Sequence, residues 1–184
     1  MTAPAGIDPR SPRFGAGITA VLLLVVIFTN VLAEAWWVGN SATGVTVSTL
    51  SLQNPLQRLL SPSVLLFAAL VALFAWGAFA GIRRHPYGVV FRAVIRPRLK
   101  PPTELEDPAP PTFAQGVGFI ITGVGLALHL AGVPYALVVA ASAAFVAAFL
   151  NSVFAYCLGC QIYLLLVRAG ILSRKSGSKG AAAA

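Results

Sequence analysis

Charge is what this sequence has least of. Charged residues make up 10% of its 184 residues and hydrophobic ones 58%, against roughly 25% charged in an ordinary soluble domain. With a mean hydropathy of +0.84, the composition excludes a soluble globular fold. Cysteine is nearly absent: Cys157 and Cys160 alone are too few and too close for the stapling framework of a small secreted domain. The chain has two histidines, His85 and His129, so a zinc-type centre would need ligands that the chain barely has. There is no glycine-rich phosphate loop, nucleophile elbow or zincin motif. No cofactor is therefore expected, and no metal. The net charge of +8 is not the mark of a nucleic-acid binder, because the basic residues lie between apolar runs rather than on one polar face.

What is present is long apolar sequence. A bilayer core of about 30 Å takes roughly 20 residues of helix, and four segments approach that length, at about 15–37, 63–82, 116–133 and 136–157. The fold class expected is an all-α integral membrane protein, a four-transmembrane-helix bundle with short interfacial helices on the cytoplasmic side. The membrane domain is set at 15–172, after an N-terminal segment 1–14 and before a tail 173–184 expected to be disordered. A loop 83–115 joins helices two and three, and an inner extension is placed at 161–172. The fourth run stays apolar to Val167, too long for one upright helix, and Gly159 is the expected place for it to bend.

The basic residues set the orientation. Arg10 and Arg13 precede the first span, Arg83 to Lys100 follow the second, and Arg168, Arg174, Lys175 and Lys179 follow the fourth. Of all the lysines and arginines, only Arg58 falls on the other side. The positive-inside rule then puts both termini in the cytoplasm, with anionic lipid headgroups as contacts. Trp36 and Trp37 suit the opposite interface. Val90, Phe91, Val94 and Ile95 share a helical face with Arg92 and Arg96 off it, the pattern of a short helix lying on a membrane surface. Pro101 to Pro111 has little helical tendency. The stretches Pro12 to Gly17 and Pro111 to Gly116 match weakly, as do Phe74 to Gly77 and Phe154 to Cys157, which suggests two repeated helical hairpins. Gly77 with Gly81, and the alanines of the fourth helix, are small residues that let membrane helices pack closely.

One element suggests reaction chemistry. Cys157-Leu158-Gly159-Cys160 brings two sulfurs within disulfide range, so that one thiolate can attack a partner disulfide and the other resolve the mixed intermediate. Packing as small hydrophobes and metal binding are the other readings of such a pair. Arg83, Arg84 and His85 are the candidate supporting cations, and Asn151 lies near the pair on the fourth helix. Glu34 is the one acid inside an apolar span. It is beside the tryptophans with His129 as a candidate partner, the two forming an outer-face polar pair.

Phe154 to Tyr163 resembles the Gly-Phe-Cys-x-Gly-Cys-x-x-Tyr closing signature of the bacterial membrane family known as domain of unknown function 4395, common in actinobacteria. The resemblance extends to Ile7 to Phe14, Arg96 to Leu99 and Pro111 to Ala114, and so covers about Ile7 to Arg168. Two positions depart: Asn151 stands where members often carry an acid, and Ala155-Tyr156 replaces Gly-Phe. The resemblance implies an architecture and a recurring cysteine pair rather than a reaction. It also implies thioredoxin-like or sulfurtransferase proteins as companions. The expected function is thiol-disulfide exchange or sulfur transfer with a cytoplasmic partner, at a bacterial cytoplasmic membrane. The alternative is a non-catalytic subunit of a larger membrane complex.

Overall fold

The computed structural model describes residues 6–40 and 54–172, except the side chains of 33–40 and 57. Glu34, Trp36 and Trp37 therefore belong to a described helix, but their side chains lie outside the described residues, as does the tail 173–184. Among the described residues the chain is helical, without a strand. The long helices are α1 (Arg10–Asn40), α3 (Pro62–Phe79), α5 (Ala109–Leu130) and α6 (Ala136–Phe154), with shorter α2 (Pro55–Leu59), α4 (Pro86–Val90) and α7 (Leu158–Arg168). The four long helices each contain a stretch long and apolar enough to cross a membrane. They pack as a closed ring, with α1 against α6 and α3, and α5 against α3 and α6.

The ring has a basic end, where α1 and α5 begin and α3 and α6 finish, and a far end. Near the far end the interior is filled. Leu23 and Val26 of α1, Val64, Phe67 and Leu70 of α3, and Leu137 and Ala141 of α6 form one buried cluster. In lipid such packing, rather than escape from water, holds helices together. Small residues admit it. Gly125 of α5 is where the Cβ of Ala140 approaches, leaving no room for a side chain.

Local chemistry explains the helix limits. α5 begins at Ala109 rather than near Gly116, because Pro110 and Pro111 occupy its first turn, where a missing N–H is harmless. Asp107 Oδ1 accepts the Ala109 N–H at 2.9 Å. Of the Gly77/Gly81 pair, only Gly77 is a close-approach site: the Gln115 side chain lies against it. Gly81 has φ +82° with open space around its Cα, so it serves as a left-handed stop after α3. Arg58, the exception in the charge distribution, donates from Nη1 to Leu130 O at 2.9 Å, satisfying one of the free carbonyls at the C-terminus of α5. The run from Pro86 to Arg98 is continuously helical, passing from α4 through a π turn to a 3-10 turn. Phe91 is its buried anchor, its ring 5.8 Å from that of Phe14.

The fourth apolar run does break, but not at Gly159. α6 ends at Phe154, Ala155 takes the left-handed conformation at φ +57°, and the Tyr156 N–H closes back on Leu150 O at 3.1 Å. This is a Schellman-type stop. Gly159 lies inside the first turn of α7, where a Cβ would come 2.6 Å from the Ala114 Cα. Its smallness allows α7 to cross α5 backbone to backbone.

Candidate functional site

Cys157 is the N-cap of α7, and Cys160 is in the helix's first turn. The Cys160 N–H donates to Cys157 Sγ at 3.2 Å, so the sulfur takes the place that a Ser or Asp oxygen usually holds at a helix start. The two residues are joined as a disulfide, with Cα atoms 5.2 Å apart, inside the normal range for such bonds. α7 is held over α5 by the Gly159–Ala114 approach and by the Phe113 and Tyr163 rings, 5.6 Å apart.

The pair lines a cavity of about 550 Å³ at the basic end, bordered by the first halves of α1 and α5, the first turn of α7, the second half of α6 and Phe74 of α3. One wall is the alanine face of α6, with Ala143, Ala147 and Ala148. The same helix therefore packs with one set of alanines and leaves space beside another. Asn151 lines this cavity, as do Gln115 and Arg13, two residues that spacing in the sequence does not connect with the cysteines. Neither amide hydrogen-bonds to another described residue. Glu106 and Asp107 supply negative charge on the same cavity wall.

The remaining candidates lie elsewhere. His85 is buried, N-capping α4: its Nδ1 accepts the Tyr87 N–H at 3.3 Å, and its Nε2 faces Leu73 O at 3.1 Å. Those partners define the neutral Nε2–H tautomer. Burial pushes the pKa of His85 down, only partly countered by the carbonyl of Leu73. The ring is thus a structural joint between α3 and α4. His85, Arg83 and Arg84 are not among the residues lining the cavity. His129 is buried in the last turns of α5 at the far end, away from the cysteines. Among the described residues no group of three His, Cys, Asp or Glu side chains could hold a metal.

The N-terminal segment closes the basic end. Ile7 and Glu106 exchange backbone hydrogen bonds of 2.9 Å each way. Asp8 caps α1 through the Arg10 N–H at 3.0 Å and pairs with the Arg10 guanidinium at 2.9 Å. Burial raises the Asp8 pKa, but the bonds and charge of Arg10, with Arg96 beyond, outweigh it and hold the carboxyl below its usual value. Arg10 also donates to Lys100 O, and Thr112 Oγ1 accepts the Ile82 N–H at 3.4 Å. Stretches far apart in sequence, around residues 7–14, 96–100, 111–114 and 154–163, thus gather at one end of the bundle.

Fold and site together define a helical protein with four helices long and apolar enough to cross a membrane and a disulfide on the wall of a cavity at one end of their ring. The family model described as domain of unknown function (DUF4395) matches residues 7–168, and the chain belongs to that family. No curated protein and no solved structure matches it.

Proposed function

We propose that the protein is a membrane-embedded dithiol that exchanges disulfides, or transfers sulfur, with a partner on the cytoplasmic side. The carrying observation is the position of Cys157: an N-cap sulfur accepting a backbone N–H, bonded to Cys160, on the wall of a cavity. In the reduced state that N–H and the partial positive charge of the α7 N-terminus favour the Cys157 thiolate over its thiol. Cys157 is then the attacking sulfur. It displaces one sulfur of a partner disulfide as a thiolate, giving a mixed disulfide. Cys160 attacks Cys157 Sγ next, releasing the partner reduced and leaving the Cys157–Cys160 bond.

Arg13, on the lining of the same cavity, supplies positive potential that Glu106 and Asp107 partly offset; Arg83 and Arg84 add to it from the surrounding surface. Asn151 supplies a neutral hydrogen-bonding group. The basic end faces the cytoplasm by the distribution of arginine and lysine, with the exposed Val90 and Val94 suited to acyl chains and the neighbouring arginines to anionic headgroups. A thioredoxin-like or sulfurtransferase protein suits the exchange, and a bacterial inner membrane suits the family. Redox titration with maleimide trapping tests the reading. A single two-electron transition is expected, with the lone Cys157 of Cys160→Ser alkylated faster near neutral pH than the lone Cys160 of Cys157→Ser. Cysteines that stay unreactive at every poise would sink the proposal.

A further inference from the structure

The cavity is longer than thiol exchange with a soluble partner requires. From Ala155 to Ala143 it follows α6 for about 18 Å, at 1.5 Å per residue. That is most of the way to the buried cluster of the far end. Its volume of about 550 Å³ lies within the roughly 300–1,000 Å³ of small-molecule sites. Ala143, Ala147, Ala148 and Ile121 form an apolar wall, and the amides of Asn151 and Gln115 join the lining with no hydrogen bond to another described residue. A slot of this form suits an elongated molecule with an apolar tail and a carbonyl-bearing head near the disulfide.

Resting on the dithiol reading above, we infer that the site takes a lipophilic quinone as its two-electron acceptor. In the reaction the Cys157 thiolate and the Cys160 thiol give up two electrons as the Cys157–Cys160 bond forms, and the quinone takes the Cys160 proton and one proton from water. The two electrons and two protons convert the quinone to its hydroquinone. The amide NH₂ groups donate to the quinone carbonyls, and the alanine wall receives the tail. With the exchange above run in reverse, a partner dithiol reduces the Cys157–Cys160 bond and is itself oxidised to a disulfide, so the protein passes two electrons from a cytoplasmic dithiol to the lipid phase.

The test uses the full chain, reduced, in lipid nanodiscs under anaerobic conditions, with decyl-ubiquinone as acceptor and the water-soluble oxidant diamide as reference. One hydroquinone is expected per disulfide formed, and none with the Cys157→Ser/Cys160→Ser double variant. Ala147→Leu, which places volume in the slot, should lower the ratio of the quinone rate to the diamide rate about tenfold. Val139→Leu, on the exposed face of α6, should leave that ratio unchanged. A pair that diamide oxidises but decyl-ubiquinone does not, or a ratio unmoved by Ala147→Leu, overturns the quinone inference while leaving the dithiol reading intact. A pair that no reductant opens overturns both.

Discussion

The two halves of α6 are both rich in alanine and do different things. Toward the far end, Leu137, Ala140 and Ala141 are buried against Leu23, Val26 and Phe67. Toward the basic end, Ala147 and Ala148 line open space beside the cysteines. What separates the two is the opposite wall. Leu23 and Val26 of α1 with Phe67 and Leu70 of α3 fill the space at one level, whereas Ala16 and Thr19 of α1 and Phe74 of α3 line the cavity at the other without filling it. Alanine is compatible with a tight core and with a hollow one; the neighbours decide which.

The largest effect expected from this difference comes from emptying the filled end. Phe67 is wholly buried, so Phe67→Ala should cost about 3–5 kcal/mol, read as an earlier unfolding transition in mixed micelles. A loss below about 1 kcal/mol would mean the far-end cluster is not what holds the ring together. A sharper contrast uses one substitution at two levels of one helix. Ala141→Leu overpacks a fully buried position and should destabilise by about 1–3 kcal/mol. Ala148→Leu, on the cavity wall, should change stability by under about 0.5 kcal/mol. Equal losses at the two sites would show that the cavity closes on itself in the folded protein.

This contrast marks what was legible beforehand. Hydropathy shows the four spans because length and apolarity are properties of each helix alone, and the cysteine pair is visible because its spacing is local. The cavity is not, because it is volume that no residue supplies, and Arg13 and Gln115 reach it from helices remote in the chain. Gly159 reads as a bend, yet its use is the approach to Ala114, which depends on α5. Arg58 reads as an exception to a charge rule, yet it caps α5 through Leu130. His85 reads as a cation beside arginines, and burial makes it a neutral cap. In each case the residue type was informative, and its partner lay elsewhere in the ring.

The smallest effect concerns the joint between α6 and α7, where the hollow end is finished. Ala155 holds φ +57°, a conformation that a residue with a Cβ adopts only with strain and that glycine adopts freely. Ala155→Gly removes that strain but loosens the unfolded chain, so the net expectation is a gain of about 0.5–1 kcal/mol. The reactivity of the cysteines should be unchanged, because α7 is held from the α5 side by Gly159 on Ala114 and Tyr163 on Phe113. Unfolding in micelles reads the first part, and maleimide labelling of the reduced pair reads the second. A variant that unfolds earlier would mean that the break relies on something other than the left-handed turn. A variant equally stable but faster to label would mean that Ala155, not the α5 contact, sets how far Cys157 is exposed at the cavity wall.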